Sequence, residues 1–496
     1  MHGIWNWRRW TVLGLLLPVA GCMVGPKYKR PETIADRADR YANAPQQRLD
    51  ANEVEKSDRW WERFGDPTTA ELVKMALEQN YDLKASAARV LQAQEALGQA
   101  KGQRWPSASY NLTGTRNKQY IPFLDEAVPD PNFPFSFSPS SLNSFWSHDV
   151  SVSYMLDLFG RLRRTQRAAW ADLLAADVSR RSLTNSVVAS VIQARINVAT
   201  LQRRLDIAQA NIKSWERTVE ITEKRYQQGV IGPLDARLAR TNLESARAQE
   251  PSIRQSLVTA IHALDVLLAQ APGRSPLLPA TLPELPDLEP VPIGVPAALL
   301  DRRPDVKAAE LQLVAANERV GVSIAQLYPD LALTASYGFS GRTWEDIWRL
   351  DRQFEVYSGI MNLSAPLFRG GALRAQVRAA KARFEELASV YAGTVLTAMR
   401  EVEDALAGER LLQEQLEHVV LQVREARAGE ELSRQRYEQG VENILTVLES
   451  QRQSRMAEEQ LAILKGQIWI ARVNLYLAIG GDWGHGEPSQ EEVAAK

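Results

Sequence analysis

The sequence predicts a mixed α/β membrane protein, with four short strands per chain in a barrel shared between several chains and long helices forming a coiled-coil tunnel. Three observations predict it. Four stretches of about ten residues alternate between apolar and polar side chains, the pattern of membrane-barrel strands. Very long helical segments carry an apolar seam spaced alternately by three and four residues. The whole pattern occurs twice.

Residues 1–21 read as an export signal: Arg8 and Arg9 precede an apolar run from Trp10 to Ala20. At about eleven residues the run is too short to span a bilayer as a helix. It ends in Val19-Ala20-Gly21-Cys22, and Cys22 is the single cysteine of the chain. Small residues before a cysteine match the lipobox of lipoprotein signal peptidase. Cleavage there leaves Cys22 as the new N-terminus, ready for acylation. Met23 follows where Asp would mark inner-membrane retention, so the lipoprotein is expected in the outer membrane. With Cys22 lipidated no disulfide can form, and the fold must rest on packing. Residues 22–68 form the lipidated N-terminal segment.

Two repeats follow, 69–271 and 304–480, and a polar tail closes the chain at 481–496. Trp105-Pro106-Ser107-Ala108 and Tyr328-Pro329-Asp330-Leu331 each end an Ala-rich helix and open an alternating stretch. Leu158-Phe159-Gly160-Arg161 and Leu367-Phe368-Arg369-Gly370 each open a very long helix. Those helices end in Arg225-Tyr226-Gln227-Gln228-Gly229-Val230 and Arg436-Tyr437-Glu438-Gln439-Gly440-Val441. Between the repeats, residues 272–303 hold Pro276, Pro279, Pro283, Pro286, Pro290, Pro292 and Pro296. This reads as a linker or equatorial region that no helix or central strand occupies.

In the first long helix the seam runs through Val187, Val191, Ala194, Val198, Leu201, Leu205, Ala208, Ile212, Trp215, Val219 and Tyr226, interrupted by Thr222. In the second it runs through Ala398, Val402, Ala405, Leu412, Leu416, Val419, Val423, Ala426 and Tyr437, with Glu409 and Ser433 as polar members. Arg203, Arg204, Asp206, Glu425 and Arg427 fall between and read as a solvated face. At 1.5 Å per residue, residues 162–228 reach roughly 100 Å. The shorter helices at 69–102 and 234–269 together have about the same length, so stacked end to end they suit a second column.

The alternating stretches are 107–115, 148–157, 331–339 and 357–365. Ala108, Tyr110 and Leu112 share a face, as do Val150, Val152, Tyr154 and Leu156. So do Leu331, Leu333, Ala335, Tyr337 and Phe339, and in the fourth stretch Tyr357, Gly359, Met361, Leu363 and Ala365. Four strands leave two open edges, which lipid does not tolerate, so several chains must close the barrel. Two would enclose a filled interior, three a pore. The connecting segments 116–147, rich in Pro, Phe and Ser, and 342–355, shorter and charged, read as extracellular loops.

A net charge of −1 gives no basic face for nucleic acid, and five His with one Cys leave little for a metal site. No nucleophile motif, phosphate-binding glycine loop or His pair at helical spacing points to an enzyme or a cofactor. The competing reading is a lipid-anchored periplasmic coiled-coil adaptor or scaffold without a pore; four barrel-type strands argue against it.

Cys22-Met23-Val24-Gly25-Pro26-Lys27-Tyr28-Lys29-Arg30-Pro31, Trp60-Trp61 with Phe64-Gly65-Asp66-Pro67, the paired Arg-Tyr-x-x-Gly-Val motifs and Phe368-Arg369-Gly370-Gly371 carry a family resemblance. Over nearly the whole mature length the chain resembles the TolC-type outer-membrane factors, in their lipoprotein (NodT-like) branch serving resistance-nodulation-division (RND) efflux pumps. The resemblance implies a homotrimer with a twelve-stranded barrel, a periplasmic helical tunnel and an equatorial belt. It also implies docking to a periplasmic adaptor (membrane fusion protein) and an inner-membrane RND-type transporter, for passive export of solutes. By resemblance, Arg436, Tyr437, Glu442 and Glu449 form the constriction at the periplasmic tip, with Arg225, Tyr226 and Asp235 as candidates from the first repeat. The family commonly has Asp where this chain has Glu442 and Glu449; the charge is kept on a longer arm. Gly229 and Gly440 read as helix-ending turns. Arginine–carboxylate links contribute only about 1 kcal/mol each when partly exposed, but threefold repetition would multiply them. Rings of Glu favour cations.

Overall fold

A computed structural model describes residues 23–43, 60–120, 140–274 and 296–481. The export signal, Cys22, most of the linker and the polar tail lie outside them.

Alternation with a period of two forms β1 (Ser107–Tyr120), β2 (Ser140–Leu156), β3 (Asp330–Gly341) and β4 (Glu355–Ser364). They pair antiparallel in the order β1-β2-β3-β4. The register aligns Tyr110, Val150, Tyr337 and Tyr357 in one row, and Ser109, Ser151, Ser336 and Ser358 in the next. One face is therefore apolar and the other carries hydroxyls. Ser109 and Ser151 lie 2.7 Å apart and Ser336 and Ser358 2.8 Å apart, Oγ to Oγ. Among the described residues the outer edges of β1 and β4 have no partner strand.

The first hairpin corrects the expectation of a loop over 116–147. β1 runs on to Tyr120 and β2 begins at Ser140, so residues 115–120 pair with 140–145 as a two-stranded ribbon beyond β3. Mostly polar side chains, with Tyr120, Leu142 and Phe145 at no regular spacing, hid this extension, because a solvated ribbon has no apolar period; its backbone ladder needs none. Residues 342–355 also hold more structure than a loop: two short 3-10 turns, Asp346–Trp348 and Arg352–Phe354, precede β4.

The helices are α1 (Pro67–Gln79), α2 (Tyr81–Gly102), α3 (Arg161–Gln227), α4 (Pro233–Leu267), α5 (Leu299–Arg302), α6 (Pro304–Ala325), α7 (Ala372–Glu438) and α8 (Ile444–Ala478). Both α3 and α7 are unbroken over 67 residues. The single helix expected over 69–102 is divided at Asn80. Its side-chain oxygen accepts from the Asp82 and Leu83 amides at 2.9 and 3.2 Å, and its amide nitrogen donates to the Leu267 carbonyl at 2.9 Å. Such a cap starts a new helix rather than continuing the old one. Part of the proline-rich segment is helical as well, contrary to expectation. Pro296 opens a 3-10 turn that leads into α5, and Pro304 begins α6; proline is tolerated in a first helical turn, where its missing N–H has no intrahelical partner.

The chain divides into two compact units. The first, residues 1–29, 92–173 and 312–387, contains the sheet. Its apolar face is bounded by aromatic rings at both strand ends. Trp146 meets Trp344 at 5.2 Å and His148 stacks on Trp348 at 4.8 Å at the hairpin ends. Phe159 stacks on Tyr328 at 4.7 Å at the helical ends. In the same unit Arg164, 2% exposed, donates to the Val24 carbonyl at 2.6 Å and pairs with Glu318 at 2.9 Å. Asn317 donates to the Pro26 carbonyl at 3.3 Å. A side chain at Gly321 would strike Arg164 at 2.2 Å, so a glycine is required there. Residues 23–26 are thereby seated on α3 and α6.

The second unit, residues 30–91, 174–311 and 388–496, holds the helical core. Val187, Val191, Val198, Leu201, Ala208 and Trp215 of the first seam are buried, as are Ala398, Val402, Ala405, Val419, Val423 and Tyr437 of the second. Trp60, Phe64, Trp469 and Tyr476 pack ring on ring beside Val191 and Ile192. Glu409, a polar seam member, pairs with Arg472 at 2.9 Å. Tyr226 departs from the seam: it is 47% exposed, because α3 ends one residue later and no neighbouring helix covers its ring. Arg203, Asp206, Glu425 and Arg427 are exposed as expected, and Arg204 is half-buried.

Candidate functional site

Two helical hairpins are built alike. At the end of α3, Gly229 adopts φ +77°; its amide donates to the Tyr226 carbonyl at 2.9 Å, and the Val230 amide to the Arg225 carbonyl at 3.0 Å. At the end of α7, Gly440 adopts φ +79°, with the same bonds to Tyr437 and Arg436 at 2.9 and 3.0 Å. This double bond satisfies the last carbonyls of a helix and needs a left-handed residue, hence glycine. Pro233 opens α4 and Asn443 caps α8, accepting from the Leu445 amide at 3.0 Å.

The turns bring Arg225 and Tyr437 together across the two hairpins. The guanidinium lies 4.5 Å from the ring centroid, and Nη1 donates to the Tyr437 carbonyl. Tyr437 is 4% exposed, and burial pushes its hydroxyl's pKa up while the Arg225 charge opposes the rise. Asp235, half-buried in the first turn of α4, adds its negative charge to the same surroundings. A cation on an aromatic face that also hydrogen-bonds a helix-end carbonyl is a strong, directional link.

The other candidates are held locally. Arg436 pairs with Glu442 at 3.3 Å across its own turn. Glu442 accepts from the Asn443 amide and the Thr446 hydroxyl at 3.2 and 3.1 Å, and these bonds, with Arg436, hold its carboxyl below the usual range. Glu449 is engaged by Arg452 at 2.6 Å and Gln453 at 2.9 Å on its own helix. Tyr226 faces outward.

A lowered folded-state pKa means that the Glu442 contribution is complete above the ordinary carboxylate value, about 4.3, and is lost as pH falls through the folded value. A small rise in channel conductance is therefore expected on acidification below the ordinary carboxylate range, as the α7–α8 turn loosens, and Glu442→Gln should remove that component of the pH profile. An identical acid-side profile in the variant would show that Glu442 does not carry it.

Sequence reading missed the polar ladder behind this site. Gln451, 2% exposed, donates to Ser214 and Thr218 at 3.1 and 2.9 Å. The Thr222 hydroxyl donates to the Thr218 carbonyl, and Ser433 meets Ser450 at 2.5 Å. Thr222 and Ser433 were the visible signal, as polar members of otherwise apolar seams.

No helix among the described residues is long and apolar enough to cross a membrane, and no group of metal-binding side chains occurs among them. A two-faced sheet with open edges and aromatic borders, joined to paired helical hairpins, defines a membrane channel of barrel-and-tunnel type. The comparisons give the family. The outer membrane efflux protein family matches residues 72–270 and 295–481. The probable efflux pump outer membrane protein SepC of Pseudomonas putida is 31% identical, over 95% of this chain and 96% of that one. Outer membrane protein OprJ of Pseudomonas aeruginosa is also 31% identical, over 96% of each. The solved outer-membrane channel OprN superposes with a TM-score of 0.82 at 27% identity, covering 93% of this chain and all of that one. The chain belongs to the outer membrane efflux protein family. It is an outer-membrane efflux channel of TolC-like fold, with its helical part in the periplasm.

Proposed function

We propose that three copies close a twelve-stranded barrel and form the exit duct of a tripartite pump. An inner-membrane RND-type transporter, coupled through a periplasmic adaptor, delivers solutes into the helical tunnel. The observation that carries this reading is the pair of open edges on β1 and β4 beside an apolar sheet face, since lipid forces those edges to be paired by further copies. Three copies leave room for a pore where two would not. Arg225, Tyr437 and Asp235, with Arg436, Glu442, Glu449 and Tyr226 around them, act as the periplasmic gate, and Gly229 and Gly440 as its tip turns. A lipid-anchored scaffold without a pore would have no use for a sheet with one apolar face.

Cys22 carries the acyl anchor at the inner leaflet of the outer membrane. Supporting this, Met23 packs on Gly160, which a Cβ would bring to within 2.6 Å of the methionine, four residues past the end of β2. Purified protein should migrate as a heat-modifiable trimer and conduct ions in planar bilayers. Cys22→Ser behind a cleavable signal should lose acyl labelling yet still give membrane trimers; a soluble monomer would overturn the barrel assembly.

A further inference from the structure

We propose that Arg116 and Lys118 form a binding site for the phosphorylated head group of the outer-leaflet glycolipid. The inference rests on the barrel orientation given above.

On β1, even-numbered residues share the apolar outward face with Tyr110 and Leu112. Gly114 ends the run of apolar side chains on β1, and beyond it only Leu142, opposite Lys118, and Tyr120 are apolar on that face of the ribbon. A side chain at Gly114 would strike the Trp146 ring at 2.3 Å, so the indole lies across the glycine and marks the membrane border with Trp344 and Trp348. Arg116 and Lys118 are the next two outward positions. At 3.3 Å per residue and a tilt of about 40°, they stand about 5 and 10 Å above that border. The head-group layer occupies about 5–7 Å on each side of the hydrocarbon, so Arg116 stands within it and Lys118 at its outer edge, from where a long side chain reaches down. The inward positions of the same ribbon, Thr115, Asn117 and Gln119, are neutral. Cations confined to the lipid-side face are unexplained by solvation alone, which would place charge on either side.

Both side chains are exposed, and neither makes an ion pair among the described residues. Nearby carboxylates are otherwise engaged: Asp346 accepts from the Thr343 amide at 2.9 Å, and Glu345 pairs with Arg349 at 3.7 Å. Among the described residues, Glu355, outward at the start of β4, and Asp351 are the other acids beside that rim. A planar guanidinium takes a phosphate in two parallel bonds, and an ammonium adds a point charge beside it. Indoles at the border suit the adjoining acyl chains. Outer-leaflet glycolipid presents this combination of phosphate above and hydrocarbon below.

The test is native mass spectrometry of detergent-purified trimers titrated with bisphosphorylated lipid A and with its dephosphorylated form. The unaltered trimer should retain the bisphosphorylated form selectively, and Arg116→Gln with Lys118→Gln should retain about thirtyfold less, the factor two cations near an anionic lipid surface supply. Equal retention by a variant that still forms heat-modifiable trimers overturns the proposal. Complete displacement by millimolar inorganic phosphate overturns it too, in favour of a free-anion site. Lys118→Cys separates the underlying orientation: a membrane-impermeant maleimide should label it on intact cells. Labelling without lipid selectivity sinks the glycolipid site alone, whereas no labelling sinks the orientation beneath it.

Discussion

Arg225→Ala is expected to open the channel. The side chain supplies both the cation over the Tyr437 ring and the hydrogen bond to the Tyr437 carbonyl, the contacts that join the α3 and α7 hairpins. A charge-assisted bond and a cation–aromatic contact in a half-buried place contribute about 2 kcal/mol together, or roughly thirtyfold in the closed-to-open ratio per hairpin pair. Threefold repetition multiplies the effect, enough to move a closed population to a predominantly open one. Single-channel conductance should rise and cells should become sensitive to large antibiotics such as vancomycin. Arg436→Ala should do much less, because its link to Glu442 stays within one turn and is half-exposed. Unchanged conductance for Arg225→Ala in an assembled trimer would place the gate elsewhere, and an equal response to both substitutions would refute the ranking.

Glu318→Leu is expected to be the most destabilising single change in the sheet-containing unit. It removes the partner of Arg164, whose side chain is 2% exposed, and leaves an uncompensated buried cation at a cost of about 3–5 kcal/mol. Arg164 also holds the Val24 carbonyl, so residues 23–26 should lose their seat on α3 and α6. Trimer dissociation on heating should shift to lower temperature, and trypsin should cut at Lys27 and Lys29 in the folded protein. Replacing both partners, Arg164→Met with Glu318→Leu, should recover most of the thermal stability, since two matched apolar side chains leave no buried charge. A single variant as heat-resistant as the parent protein would refute the assignment.

The sequence by itself determined the elements whose periodicity is enforced by burial. The alternating faces of the four strands, the two long helices with their buried valines and leucines, and the glycine-ended hairpins were all legible, because each follows from local geometry and an apolar period. The family resemblance added the assembly and the gate candidates. Only the tertiary structure decided what depends on partners distant in the chain. The β1–β2 ribbon beyond Gly114 has no apolar period, and its backbone pairing alone makes it a strand. Asn80 divides its helix by a local cap, but what fixes its side chain there is also a bond to Leu267, far along the chain. The gate candidates were legible as residue types, but their pairing was not. Arg225 meets Tyr437 across 212 positions, while Arg436, Glu442 and Glu449 are held by neighbours on their own turns and helices. Spacing along one helix shows which side chains share its face; it carries no information on which face of another helix will be brought against it.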